Sequence, residues 1–269
     1  MKRWWWPAAL AVLIVIALVL LVDREEALRL FPARDWTWQA MQSRGVWRVG
    51  LDPSFPPFEQ LNEAGHPVGF DVDLAHRLAE QWNMEVEIVA IGFDSLFDAV
   101  RTGQVDSVVS AYPYDPRLTR DVRFSTPYFD AGIRLAVRAD SPLQEVSELA
   151  GQTVAVEWGS MSDMVGRRLQ RELPTLQLAQ YATPAESVQA LLNDPAVSAA
   201  LVDNVTLRQA EASGLPLKAV GPVLESNPYV IVMPRTGRLL QERVEEALQT
   251  LRERGTLDAL EQTWFATMP

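Results

Sequence analysis

Cysteine is absent from the 269 residues. No disulfide, thiolate nucleophile or Cys-ligated metal centre is therefore available, and redox chemistry gives no reading of the compartment. Lysine occurs only at Lys2 and Lys218, and the other basic residues are arginine. That bias carries no functional meaning by itself. The basic residues are scattered and the formal net charge is -11, so no stripe exists that would track phosphates, and nucleic acid is not expected as a partner. Histidine is limited to His66 and His76. One falls in a turn and the other on a helical face, without companions at metal-ligand or triad spacing, so neither a metal nor a cofactor is expected.

What is present is a chain with 48% hydrophobic residues, enough for one large or two modest domains with real cores. It opens with Lys2 and Arg3, then Trp4, Trp5 and Trp6, then an apolar run from Ala8 to Val22 that ends in Asp23-Arg24-Glu25-Glu26. Counted from Trp4 this run is about 19 residues, or roughly 28 Å as a helix, just long enough to cross a bilayer. The cationic start places the tryptophans at the cytoplasmic interface and sends residue 23 onward outside. No small-x-small cleavage site follows the run, which favours an uncleaved anchor over a signal peptide. Residues 1–22 are thus expected to form a transmembrane anchor, and residues 23–44 a short stalk.

From Val46 short β-branched runs alternate with amphipathic segments, the pattern of α/β architecture. The order occurs twice. In the first half "VWRVGL", "MEVEIVAI" and "VDSVVSA" predict strands, separated by helices over "DVDLAHRLAEQWN" and "FDSLFDAVRTG". In the second half "QTVAVEW", "LQLAQYA" and "VSAALVD" predict strands, with helices over "SDMVGRRLQREL" and "PAESVQALLND". "NPYVIVMP" predicts one further strand, and a last helix carries an apolar stripe at Leu240, Val244, Ala247, Leu248 and Leu251.

Open sheets of this kind bind ligands beyond the carboxyl ends of their strands. In the first unit that rule selects Asp52 to Phe58, then Phe93, then Ser110, Ala111, Tyr112 and on to Arg117. In the second it selects Glu157 to Ser162, Tyr181 to Thr183, and Asp203 with Asn204. Duller roles are open to several of them. Asp52 before a proline turn suits an Asx-turn. Phe55 suits a cleft wall or a core plug, and Phe58 suits the core. Ser160 and Ser162 suit helix N-caps. Asp71 and Asp73 lie at a helix start, where capping suffices.

The phrases "GVWRVGLDPSFPPFE", "GHPVGFDVDLAHRLAEQ", "GFDSLFDAVRTGQVDSVVSA", "FSTPYF", "LAGQTVAVEWGS" and "GTLDALEQTWF" resemble the bacterial extracellular solute-binding proteins of family 3, the periplasmic amino-acid-binding components of ABC importers. The resemblance covers nearly all of residues 40 to 266. It implies an α/β flytrap fold of two lobes with two hinge crossings, near Asp130 to Arg134 and near Glu225 to Pro228. Lobe one would hold residues 45–131 and 227–269, and lobe two residues 132–226. It also implies ligand contacts: Phe55 and Phe93 as an aromatic sandwich, Asp52 as an acid found with basic ligands, and Asp203 as the partner of the ligand ammonium. Ser110 would be a first-lobe polar contact, and Ser160, Met161 and Ser162 the helix start that receives a carboxylate.

One stretch departs from the family pattern. Amino-acid binders usually carry Thr-x-Thr-x-Glu-Arg before "FS", with the arginine forming a bidentate clamp on the α-carboxylate. In register the arginine position falls on Leu118 and the first threonine position on Pro113. Arg117 is either a shifted clamp or a solvated turn residue, and Tyr112 and Tyr114 replace small polar groups with aromatic walls. The expected role is a non-enzymatic, monomeric receptor that captures an amino acid or amine and hands it to an ABC permease, held to the membrane by its N-terminal helix. The alternatives are an enzyme resembling cyclohexadienyl dehydratase, with Glu157 and Asp203 as its acid and base, or a sensor for a separate signalling chain.

Overall fold

The computed structural model describes residues 35–266. The expected anchor (1–22) and most of the expected stalk lie outside the described residues, among which no helix is long and apolar enough to cross a membrane. The last part of the expected stalk is folded. Asp35 caps helix α1 (Trp36–Arg44), accepting from the Trp38 N–H at 3.1 Å, while its other carboxylate oxygen accepts from the backbone N–H groups of Leu239 (2.5 Å) and Leu240 (3.0 Å). Trp38 and Met41 of α1 enter the core. Two buried positions one turn apart make too short an apolar stripe to be read against the surrounding polar residues.

Strand β1 (Val46–Leu51) follows, with Trp47 and Val49 pointing into the same core as α1. A small antiparallel sheet of β2 (Ser54–Phe55), β3 (Glu59–Leu61) and β4 (Pro67–Val68) leads into α2 (Phe70–Gln81). Strand β5 (Glu85–Ala90) pairs parallel with β1, from Val46 opposite Glu85 to Leu51 opposite Ala90. Helix α3 (Phe93–Thr102) then returns the chain to β6 (Ser107–Val108), which is shorter than the expected "VDSVVSA" because Ser110 and Ala111 leave the ladder for the site described below. After β7 (Val122–Phe124) the chain reaches the first crossing at β8 (Phe129–Asp130).

The second sheet begins with β9 (Ile133–Arg138) and continues through β10 (Thr153–Glu157), α4 (Met161–Glu172), β11 (Gln177–Tyr181), α5 (Pro184–Asn193), β12 (Val197–Asp203), α6 (Asn204–Ala212) and β13 (Leu217–Glu225). Its strand order is β11-β10-β12-β9-β13, with β9 antiparallel to both neighbours. Helix α4 covers one face, over Val154, Val156 and Leu201, while α5 and α6 cover the other, over Ala155, Ala200 and Val202. The chain then crosses back at β14 (Pro228–Tyr229) and completes the first sheet with β15 (Val232–Pro234), giving the order β5-β1-β6-β15-β7. The expected strand "NPYVIVMP" is thus two strands, since its first half belongs to the crossing and only its second half to the sheet. Helices α7 (Arg238–Glu253) and α8 (Thr256–Ala266) close the first core, and α7 uses the stripe Leu240, Val244, Ala247, Leu248 and Leu251.

The two crossings run side by side. Strand β8 pairs with β14, and the Asp130 carboxylate accepts from the N–H groups of Gly132 (2.8 Å) and Asn227 (2.9 Å) and from the Ser226 hydroxyl (2.7 Å). Gly132 lets the crossings touch: a Cβ there would stand 2.1 Å from the Glu225 carbonyl oxygen and 2.9 Å from the Ser226 Cα. Both obstacles are backbone and cannot rotate away. Gly132→Ala is therefore expected to destabilise the fold by about 1–3 kcal/mol through overpacking. Urea unfolding checks this, and an unchanged midpoint would show that the crossings can part freely.

Candidate functional site

The ends of β1, β5 and β6 meet at a cavity of about 280 Å³ lined by Asp52, Ser54, Phe55, Glu59, Phe93, Ser110, Ala111, Pro113 and Tyr229. A larger depression of about 750 Å³, beside Arg77 and Arg254 on the outer surface, meets no strand end. The lining of the smaller cavity comes from the ends of β1 and β6, the β2–β3 hairpin, the start of α3 and the crossing, without a residue of the second sheet. Phe55 and Phe93 are 44% and 43% exposed and form walls. Phe55 stacks on Phe58 with ring centroids 5.8 Å apart, and Phe93 stacks on Tyr112 at 5.4 Å. Phe58 itself is fully buried among Phe70, Phe129, Tyr229 and Phe265, as its expected core role requires.

Beneath the walls lies a chain of hydrogen bonds. Asp52 makes no Asx-turn through its side chain. Its carboxylate accepts from the Phe93 N–H (2.8 Å) and so fixes the start of α3, whose N-cap Gly92 has no side chain to do so. The Asp52 N–H donates to the Ser110 hydroxyl oxygen (3.0 Å), and that hydroxyl donates to Glu59 Oε1 (2.8 Å). Glu59 and Asp71 are both buried, and each keeps one oxygen, Oε2 and Oδ1, that accepts from no donor in the chain. They face each other as hydrogen-bond partners, an arrangement that two carboxylates hold only with a proton between them. The second Asp71 oxygen accepts from the Ala111 N–H (2.5 Å) and the Tyr128 hydroxyl (3.0 Å). Ala111 has a φ of 41°, a strained left-handed conformation for a residue with a Cβ, and the Asp71 bond pins it there.

Burial is the first cause that pushes Glu59 up to about 11, with Asp71 adding to it, and burial likewise pushes Asp71 up to about 6. Glu59 therefore carries the shared proton at neutral pH. The expectation that Asp71 and Asp73 merely cap a helix is overturned. Asp71 is a wholly buried member of this pair, and Asp73 accepts from the Trp264 indole N–H at 2.8 Å.

In the second sheet the ends of β10 and β12 lead into helix starts with their own caps. Ser160 is the N-cap of α4, as its type suggests, accepting from the Ser162 N–H at 3.1 Å. Its hydroxyl donates to the Glu157 carbonyl (2.8 Å), and the Ser162 hydroxyl accepts from the Glu157 N–H (3.1 Å) and donates to Ser160 Oγ (2.8 Å). Met161 opens the helix and is partly buried. Asp203 caps α6 through the Thr206 N–H (2.9 Å) and hydroxyl (2.7 Å). Burial, and then the Asp203 charge, push up the phenol of Tyr229, which puts Asp203 within electrostatic reach of the cavity wall. Trp158 stands 69% exposed at the end of β10.

Of the expected first-lobe residues, Asp52, Phe55, Phe93, Ser110 and Ala111 line one cavity, with Tyr112 stacked behind Phe93. Arg117 does not join them. Residues 112–114 run antiparallel to 228–230, with bonds from the Tyr114 N–H to the Pro228 carbonyl and from the Val230 N–H to the Tyr112 carbonyl. The chain then enters a turn capped by Asp115, whose carboxylate holds the Arg117 guanidinium at 2.6 Å while that side chain remains 87% exposed. Of its two expected roles, the structure shows the solvated turn. Sequence reasoning missed Glu59 and Tyr229. An acid directly after "FPPF" looks like an ordinary hairpin residue, and Tyr229 reaches the site only because the chain crosses there.

Residues 47–267 match the family of bacterial extracellular solute-binding proteins, family 3. The chain belongs to that family. Among curated proteins, this solute-binding protein is similar to the arginine-binding extracellular protein ArtP of Bacillus subtilis, with 27% identity over 219 residues that cover 81% of this chain and 85% of ArtP. Among solved structures it resembles a mutant of ArgBP from T. maritima, at 32% identity and a TM-score of 0.52, over 86% of this chain and 99% of that one. It shares its fold with the L-cystine solute receptor of Neisseria gonorrhoeae in the unliganded open conformation, at 21% identity and a TM-score of 0.76, covering 85% and 96% of the two chains.

The buried pair makes stability depend on pH in a definite direction. The folded protein keeps a proton that the unfolded chain, with carboxyls at their ordinary values of 4.5 and 3.8, releases by about pH 5. The raised values mean that the pair's contribution to stability is greatest below about pH 4 and declines as pH rises. Glu59→Gln keeps the geometry, with an amide donor facing Asp71, but binds no proton. Between pH 5 and 8 the wild type should lose stability relative to Glu59→Gln by up to about 1.4 kcal/mol per pH unit. Parallel urea-unfolding profiles for the two proteins would show that no proton is shared.

Proposed function

We propose that this solute-binding protein captures a small cationic solute bearing an amine or guanidine between its lobes and presents it to an ABC permease. The observation that carries the reading is the pairing of exposed aromatic walls, Phe55 and Phe93, with Asp52; in this reading Asp203, whose charge reaches Tyr229 on the cavity wall, and Glu157 face them from the second lobe. Aromatic faces and carboxylates both attract a cation, and a desolvated cation–π contact contributes about 2 kcal/mol. The relatives named for arginine support the same charge. In this reading Ser110, Tyr112, Ser160, Met161 and Ser162 shape the site around the ligand, residues 45–131 and 227–269 move as one lobe, and 132–226 as the other. The apolar run within residues 1–22 tethers the protein to the outer face of the membrane.

A ligand that touches both lobes favours the closed form only through its greater affinity for it. Lysine, arginine and related amines are expected to raise the melting temperature in a thermal-shift screen, whereas glutamate leaves it unchanged. Asp203→Asn should weaken binding roughly a hundredfold, about 2.7 kcal/mol, because it removes the charge that faces the amine. Tight binding of glutamate by the wild type would overturn the cationic reading.

A further inference from the structure

The cleft is poor in groups able to receive a carboxylate. Bidentate recognition of that group needs a guanidinium, or failing that several free N–H or O–H donors. No arginine or lysine lines the cavity. Of the cations on the segments that flank it, Arg117 is held by Asp115, and Arg134, on the second sheet, donates through Nη2 to the Gly221 carbonyl at 3.2 Å and keeps a buried Nε that no acceptor reaches. Several polar hydrogens at the strand ends are likewise committed. The Phe93 N–H goes to Asp52, the Asp52 N–H to Ser110, the Ser110 hydroxyl to Glu59, and the Ala111 N–H to Asp71. Across the cleft the Ser160 hydroxyl goes to the Glu157 carbonyl and the Ser162 hydroxyl to Ser160.

What remains open to a ligand is mostly acceptor. Ser110 Oγ keeps one lone pair, Asp52 and Asp203 each keep unused lone pairs, and the side-chain donors that line the cavity are the neutral hydroxyls of Ser54 and Tyr229. A carboxylate placed here would sit among like charges without a compensating cation, and that leaves an expensive buried charge. An ammonium or guanidinium placed here finds acceptors and aromatic faces on every side.

We propose that the cleft selects a cationic amine or guanidine that carries no α-carboxylate, because no cation lines the cavity and the groups it leaves open are mostly acceptors. This rests on the cationic reading above and narrows it to decarboxylated amines in preference to amino acids. The serine hydroxyls act as fixed acceptors in this site, a role set by the Glu59–Asp71 pair on one lobe and by the Glu157 backbone on the other.

The test is isothermal titration of the full chain in detergent with arginine, agmatine, arginine methyl ester, lysine and cadaverine. Agmatine should bind at least tenfold more tightly than arginine, and cadaverine at least tenfold more tightly than lysine. The methyl ester matches arginine in size but lacks the negative charge, so it should follow agmatine. Arg117→Ala should leave agmatine affinity unchanged. Arginine binding as tightly as agmatine, or more tightly, would overturn the selection against carboxylate while leaving the cationic reading intact. Loss of arginine binding on Arg117→Ala would show in addition that Arg117 leaves Asp115 to clamp a carboxylate. Absence of binding by all five cations would overturn the cationic reading itself.

Discussion

One proton, held between Glu59 and Asp71, organises the floor of the first lobe. From it the bonds run in two directions, through Ser110 and Asp52 to the start of α3, and through Asp71 to Ala111 and Tyr128. Three strand ends, one hairpin and two helix starts are thereby fixed by a single neutralised carboxyl. Without the proton two buried negative charges would face each other in a medium of low dielectric. The strained backbone at Ala111 is a local cost that this network offsets.

The strand ends of both lobes carry acids. Asp52 stands on one lobe, and Glu157 and Asp203 stand at strand ends of the other. In the proposed reading, drawing the lobes together without a ligand brings like charges into a shrinking, water-poor space, so closure of the empty protein is opposed. A cation removes that opposition and adds contacts to both sides. The crossings that such a motion would bend are stapled by Asp130 at one place, and Gly132 leaves no side chain between them.

The repeated α/β order, the strand-end rule and the role of α7 were legible because each depends on short-range periodicity that the residues display openly. The apolar stripe from Leu240 to Leu251 and the capping serine at 160 are of this kind. What stayed hidden depends on contacts far apart in sequence. Glu59 and Ser110 meet across 51 residues, and Asp71 meets Ala111 across 40. Nothing local distinguishes Asp71 from its neighbour Asp73, although one holds the site together and the other anchors the Trp264 indole. Arg117 misled for the opposite reason. Its place in the chain suggested a clamp, but Asp115, two residues away, reaches it first.

The two-sided cap formed by Asp35 bears on how the halves of the molecule are joined. Its carboxylate joins the first described helix to the start of α7, so the chain's entry into the fold is welded to the first lobe and to its closing helices. The second lobe joins it through the paired crossings and through α6, where Arg208 pairs with Glu261 of α8 at 3.5 Å, and it carries the exposed Trp158.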